Sequence, residues 1–220
     1  MKTAVFCDFD GTITRRDVGY HLFRHFSGGK NEKLIPDWKA GRLSTRDCLV
    51  QEAAMVHASE DAIYRFLDQF ELDKGFAPFV KLSLLQNVDI FIISDGLDFY
   101  INYILKRHKL NYLPVLANIG RLENDRIIVE FPYRNHTCHK CGSCKGERIR
   151  EYKDSSPSPN RIIFVGDGYS DACALKEADF IFAKKDLEEY CLSYDITCYT
   201  YDDFHDVAQQ MITLGHINSM

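Results

Sequence analysis

The chain has 220 residues, 45% of them hydrophobic and 27% charged, with a net charge of −5 and a pI near 5.9. Such a composition suits an ordinary globular protein with one substantial core and a small inserted lobe. It excludes a basic nucleic-acid footprint, and no apolar run approaches the roughly 18–20 residues that span a bilayer. The apolar residues after Lys2 end at Cys7, too soon for a signal peptide. Of the eight cysteines, five are scattered and three crowd together at 138–144, which suits a reducing compartment. The expected location is the cytoplasm.

Ala4–Cys7 reads as a short buried strand that stops on Asp8–Phe9–Asp10–Gly11–Thr12–Ile13–Thr14. Buried carboxylates without partners are costly, and a divalent cation beside Asp8 and Asp10 removes the cost. Gly11 permits a tight turn, and Thr12 and Thr14 offer hydroxyls to an anion. A solvated acidic turn would look the same locally. Val18, Leu22 and Phe26 then recur every four residues and predict a helix ended by Gly28–Gly29. Asp17 either reaches a ligand at the Asp8 loop or serves as a favourable charge at that helix's start. Ser44 to Asp47 resembles a capping box, and Ser59 caps an amphipathic stretch with Ile63, Phe66, Leu67 and Phe70 on one face. Residues 15–75 therefore read as an almost wholly helical insertion after the first strand.

A helix is expected from Gly75 to Leu85, then a buried strand over Val88–Ile93 that ends on Ser94–Asp95–Gly96. The next helix, through Leu97, Ile101, Ile104 and Leu105, should start at once. A hydroxyl, a glycine and a helix N-terminus can cradle a phosphate, although a serine cap has the same local signature. Val115–Asn118 and Ile127–Phe131 flank a turn-rich Glu123–Asp125 and suggest a hairpin. After His136–Thr137–Cys138–His139–Lys140–Cys141–Gly142–Ser143–Cys144–Lys145 come a helix from Glu147 to Lys153 and a linker, Ser155–Pro159. Arg161–Val165 is the most buried-looking strand, ending on Gly166–Asp167–Gly168–Tyr169–Ser170–Asp171, with a helix carrying Ala172, Leu175 and Ala178 beyond it. Phe180–Ala183 and Ile196–Tyr199 complete the strands.

Strands alternating with helices imply an α/β fold, Rossmann-like, with a parallel sheet covered on both faces and ligands at the strands' C-terminal ends. The expected organisation is a core of residues 1–14 and 76–220 with a helical cap at 15–75. Asp8 with Asp10, Ser94, and Asp167 with Asp171 then converge on one edge. Four carboxylates in one crevice repel each other unless cations are present. Mg²⁺ on Asp8, the Asp10 carbonyl and Asp167 removes the conflict, and Lys145 adds a second positive charge. Those groups make a cradle for phosphoryl transfer.

These residues resemble the four ordered motifs of the haloacid dehalogenase superfamily: Asp8–x–Asp10–Gly11–Thr12, Ser94, Lys145 and Gly166–Asp167–Gly168–x–x–Asp171. The order and spacing are similar to its phosphoserine-phosphatase-like branch, with the cap between the first two motifs. The resemblance implies Asp8 as nucleophile and Asp10 as general acid and base. It implies a phosphate held by Thr12, Ser94, Asp95, Gly96 and Lys145, and Mg²⁺ held by Asp8, Asp10 and Asp167 with Asp171 ordering the shell. A carboxylate at Asp10 favours phosphoester hydrolysis over C–halogen cleavage. The cysteine-rich approach to Lys145 is similar to two subgroups, the 2-hydroxy-3-keto-5-methylthiopentenyl-1-phosphate phosphatases of methionine salvage and the phosphoethanolamine/phosphocholine phosphatases. Gly11 and Asp17 depart from the phosphoserine phosphatase pattern, which makes Asp17 a candidate specificity residue. The first subgroup is the preferred expectation.

Cys138, Cys141 and Cys144 with His136 or His139 have the spacing for a tetrahedral Zn²⁺ site; three packed reduced thiols are the other reading. The expected partner is a small phosphorylated metabolite, with no nucleic acid or membrane, and the chain is expected to be a monomer or homodimer. The alternatives are phosphotransfer to an alcohol and a zinc-binding regulatory module on a phosphatase scaffold.

Overall fold

The computed structural model describes residues 2–133, 138, 140–155 and 160–218. Among the described residues, seven strands form one sheet: β1 (Lys2–Cys7), β2 (Asp89–Leu97), β3 (Val115–Glu123), β4 (Arg126–Glu130), β5 (Asn160–Gly166), β6 (Phe180–Ala183) and β7 (Tyr199–Thr200). Their order is β4-β3-β2-β1-β5-β6-β7, parallel throughout except for the β3–β4 hairpin. Helices α1 (Val18–Phe26), α2 (Ile35–Lys39), α3 (Thr45–Ala54) and α4 (Glu60–Leu67) all fall between β1 and β2. Then come α5 (Phe76–Leu85), α6 (Asp98–Arg107), α7 (Lys145–Ser155), α8 (Ala172–Leu175), α9 (Lys185–Ser193) and α10 (Phe204–Thr213).

Successive strand residues turn to opposite faces, and here both faces are apolar and covered. Val5, Cys7, Ile90, Ile92, Ile163 and Val165 pack in one buried cluster with Phe79 of α5, Ile104 of α6 and Val207 of α10. Ala4, Phe6, Ile162 and Phe164 pack on the other side with Ile149 of α7, Leu175 of α8 and Leu187 of α9. Leu22, Leu49, Ile63 and Leu67 join the first cluster, so the inserted helices are seated on the same core. Three of those helices are capped by side chains, two of them at the serines the sequence marks and one at Asp17, read there only as a charge or a ligand-reaching group. Asp17 accepts from Tyr20 N at 2.7 Å, Ser44 from Asp47 N at 3.0 Å, and Ser59 from Ala62 N at 3.3 Å. Each such cap contributes about 1 kcal/mol.

The chain enters and leaves the inserted helices side by side. Thr14 bridges Leu72, Arg15 N donates to Glu71 O at 3.2 Å, and Asp73 N donates to Ile13 O at 2.8 Å. From β1 the chain builds outward in both directions, which leaves a crevice at the strands' C-terminal ends. Register fixes what lines it. Cys7 lies level with Ile92 of β2 and with Val165 of β5, so the residues just beyond each strand meet.

Local readings differ from the structure in several places, among them β3, which runs on past Asn118 to Glu123, and α7, which starts at Lys145 and not at Glu147. β2 runs on to Leu97 through a register irregularity after Ile93, so Ser94–Gly96 occupy a bulged strand end and α6 begins only at Asp98. The helix after Asp171 stops at Leu175, short of Ala178. The final strand starts at Tyr199, not Ile196, because Ile196 N turns back to Cys191 O at 2.9 Å to close α9. The β3–β4 turn uses Asn124 and Asp125, both left-handed (φ 51° and 59°), as two-residue hairpins require. Of the Ser155–Pro159 linker, residues 156–159 lie outside the described residues.

Candidate active site

The loop after β1 is buried, and its own polar groups hold its shape. Gly11 adopts φ +79°, and a Cβ there would fall 2.4 Å from Asp167 Oδ2, so only glycine permits this approach. The Thr14 hydroxyl donates to Phe9 O at 3.0 Å or Arg16 O at 2.8 Å, while its oxygen accepts Gly11 N at 3.1 Å. The Thr12 hydroxyl donates to Asp167 Oδ1 at 3.2 Å. Both threonines are fully buried. Neither hydroxyl therefore faces an anion, as the sequence suggested; a buried donor needs an internal partner, and each has found one.

Asp8, Asp167 and Asp171 bring one carboxylate oxygen each within 4.8 Å of one another. Lys145, at the first residue of α7, is 1% exposed and donates to Asp8 Oδ1 at 2.6 Å and to Asp171 Oδ1. Burial pulls the Lys145 ammonium down, but Asp171 and Asp8 outweigh it and hold the group well above the usual lysine range. Asp8 is pushed up by burial and by Asp171 and Asp167, against the pull of Lys145. Asp171 is fully enclosed, and its second oxygen accepts Asp167 N and Gly168 N at 3.0 Å each. With both oxygens engaged, it orders the Asp167 turn.

Asp10 points elsewhere. Its Oδ1 accepts Val18 N at 2.9 Å and Gly19 N at 3.0 Å, at the open start of α1, and its Oδ2 accepts the Tyr100 hydroxyl at 2.7 Å. Burial raises its pKa in spite of those donors, the direction that suits a group able to hold a proton near neutrality. Gly96 makes this contact possible: a Cβ there would sit 1.8 Å from the Tyr100 hydroxyl and 2.7 Å from Asp10 Oδ2. Gly96→Ala should displace Tyr100 and Asp10 and lower kcat by at least about 10²-fold with the fold intact, checked by steady-state kinetics beside circular dichroism.

Ser94 Oγ accepts Gly96 N at 3.0 Å, which leaves the hydroxyl proton for a ligand in the cleft. The Asp95 carboxylate is turned away; its Oδ1 accepts Gly142 N at 2.8 Å, Ser143 N at 2.7 Å and the Asn118 amide at 3.2 Å. Asp95 thus anchors the loop before Lys145 through its side chain, and only its backbone is left to bind an anion. Cys138, Cys141 and Cys144 have their sulfurs within 4.8 Å of one another. His136 and His139 lie outside the described residues.

A cleft of about 770 Å³ opens over Asp8, Asp10, Ser94 and Asp167. Its far wall comes from the inserted helices: Phe23, Ile35, Pro36, Trp38 and Leu49, with Glu52 behind them. Asp17 is exposed, but to this cleft; the enclosing protein first, then Asp10, Asp167 and Glu52, push its carboxyl up to about 8 against the Tyr20 hydrogen bond.

Sequence reasoning missed Tyr100, Glu52 and Lys185. Lys185 donates to Asp167 Oδ2 at 2.8 Å and Gly11 O at 3.3 Å. Its place just past β6, on the same edge as the other strand tips, was the available signal. Glu52 accepts from the Asn31 amide at 3.0 Å, and burial raises its pKa from 4.5 to about 7. The folded state therefore holds this proton more tightly than the unfolded chain, and the stability it brings below pH 4.5 is lost as pH rises to about 7. Glu52→Gln should be about 1–3 kcal/mol more stable than the wild type above pH 7 and no different in acid, read by denaturant titration at both pH values.

Solved phosphoserine phosphatase structures share the fold. A phosphoserine phosphatase with a phospho-aspartyl intermediate analogue aligns at TM-score 0.74, with 17% identity, 95% of this chain and 98% of that one. A substrate-bound phosphoserine phosphatase aligns at TM-score 0.76, with 16% identity, 96% of this chain and 98% of that one. The fold is shared with phosphatases and the motif set resembles that of the haloacid dehalogenase superfamily; with the relatives and the family below, the chain is a phosphoric monoester hydrolase. Among curated relatives, the 2-hydroxy-3-keto-5-methylthiopentenyl-1-phosphate phosphatase of Bacillus cereus (strain G9842) is 29% identical over 223 residues, covering 100% of both chains. That of Brevibacillus brevis (strain 47) is 29% identical over 212 residues, covering 94% of each. The model of the family described as Putative Phosphatase matches residues 3–203, and the chain belongs to that family.

Proposed function

We propose that the protein hydrolyses a small-metabolite phosphomonoester through a phosphoryl group carried on Asp8. The observation that carries this reading is the meeting of Asp8 and Asp167, at the ends of β1 and β5, with the buried Lys145 that opens α7. An Asp8 oxygen attacks phosphorus as the bond to the leaving oxygen breaks, and Asp10, held by Tyr100 and the start of α1, gives that oxygen its proton. Asp10 then takes a proton from the water that attacks the aspartyl-phosphate, which returns Asp8 and releases phosphate. The Ser94 hydroxyl, the Asp95 backbone N–H and Lys145 bind the phosphoryl oxygens, with Gly96 N holding Ser94 in place.

The donor set fits Mg²⁺: Asp8 and Asp167 are hard oxygen ligands, and Asp10 is left its carbonyl because its carboxylate is engaged on α1. The acidic groups Asp8, Asp10, Asp17, Asp167 and Asp171 also outnumber the ammonium groups of Lys145 and Lys185. Bound there, the cation offsets the negative charge of the phosphoryl oxygens.

Residues 15–75 act as a cap that reads the leaving group, with Asp17 at its root; the paired crossings at Thr14–Leu72 support such a boundary. For the substrate we favour 2-hydroxy-3-keto-5-methylthiopentenyl-1-phosphate. The relatives above support it, and so does a wall of Phe23, Ile35, Pro36, Trp38 and Leu49 that suits a methylthio chain. A second reading, phosphoethanolamine or phosphocholine, draws on Trp38, Glu32, Glu52 and Asp17, which line the same cleft and suit an ammonium. Phosphate release from these esters and phosphoserine, with and without Mg²⁺, separates them: the largest kcat/KM should fall on the methylthio ester, and preference for an ammonium ester would select the second reading.

A further inference from the structure

The chemistry at Asp8 does not use the cysteines, yet the fold gathers more of them than the sequence cluster supplies. Cys138 and Cys141 have their sulfurs 3.5 Å apart. Cys144 completes a group whose sulfurs all lie within 4.8 Å of one another. A fourth thiol lies next to them on the opposite segment: Cys173, in α8, is a neighbour of Cys141 and Cys144, although its sulfur stands outside the tight group of three. The backbones touch as well, since a Cβ on Gly146 would fall 2.3 Å from Cys173 O. The Cys173 sulfur itself lies 3.7 Å from Ser170 O.

We propose that Cys138, Cys141, Cys144 and Cys173 bind one Zn²⁺ as a structural four-sulfur site. With Zn–S bonds of about 2.3 Å, tetrahedral geometry sets sulfur–sulfur edges of about 3.8 Å, near the spacing already present between Cys138 and Cys141. On binding, the four thiols release their protons to solvent. Cys144 also sits at the start of α7, an 11-residue helix whose N-terminal dipole favours a thiolate. Such an ion fastens the loop that delivers Lys145 to the segment that delivers Asp171, the two ends of a buried ion pair. This inference does not depend on the phosphatase reading, because its readout is thiolate coordination and not turnover.

The test uses the full chain purified under reducing conditions without chelator. Elemental analysis should find one zinc per chain. Replacement by Co²⁺ should give a near-ultraviolet thiolate-to-cobalt charge-transfer band, which the carboxylate ligands at Asp8 and Asp167 cannot produce. Cys173→Ser should weaken zinc binding by at least about tenfold, since even outer-shell changes cost that much, and should reduce the band. Cys198→Ser should change neither. Absence of both zinc and a cobalt–thiolate band in the wild type would overturn the site, as would isolation with a Cys138–Cys141 disulfide. An unchanged band in Cys173→Ser would overturn the four-sulfur assignment.

Discussion

Asp8→Asn should lower kcat by at least about 10⁴-fold on any phosphomonoester the wild type accepts, because it removes the attacking oxygen and not merely a contact to the substrate. The change is isosteric in a position 5% exposed, and the strand that ends there is fixed by Asp8 N donating to Val165 O at 2.9 Å. The Lys145 ammonium keeps Asp171 as its partner. Repulsion between Asp8 and its acidic neighbours disappears at the same time. Stability should therefore move little while turnover is lost, a separation that thermal melting and steady-state kinetics on one preparation can read. Substantial activity in a well-folded Asp8→Asn protein would contradict the nucleophile assignment.

Lys145→Met should produce the opposite pattern, with fold and activity failing together. The ammonium is enclosed between Asp8 and Asp171, and its removal leaves two buried carboxylates facing each other with Asp167 nearby. Deleting one member of such a buried pair costs about 3–5 kcal/mol. In the variant those carboxyls hold their protons to higher pH when folded than when unfolded. The deficit should therefore be largest at neutral pH and shrink as acid protonates them. Combining Lys145→Met with Asp171→Asn should recover part of the stability, since one of the opposed charges is gone, but none of the activity. Denaturant titration across pH with parallel assays checks both halves. A Lys145→Met protein as stable as the wild type at neutral pH would show that the carboxylates are compensated by other groups.

Much of the candidate site was legible in the sequence because its residues stand at or near the point where a strand runs out. Asp8, Ser94 and Asp167 interrupt apolar runs that have no packing use for them, and register alone then brings them level. Other features depend on contacts that no local pattern carries. Tyr100 lies on an apolar helix face and meets Asp10 across a sequence separation of 90 residues. Glu52 reads as one more charge on a weakly amphipathic helix until α3 turns it into the cleft. Cys173 has no spacing relation to the cysteine run it joins. The Thr12 and Thr14 hydroxyls were misassigned because the sequence does not reveal how deeply the loop is buried, and burial decides whether a hydroxyl serves a ligand or the fold. Near the C-terminus the signal weakened for a different reason. β7 is a two-residue edge strand, and an edge needs little of the β-branched pattern that marks a central one.

The most direct measurement is the mass of the protein's peptides after a rapid acid quench during turnover. A single added phosphoryl group should appear on the peptide that carries Asp8, disappear as substrate is exhausted, and be absent in Asp8→Asn. Full turnover with no phosphorylated peptide at any quench time, or with the group on a different residue, would contradict attack by the first strand's carboxylate.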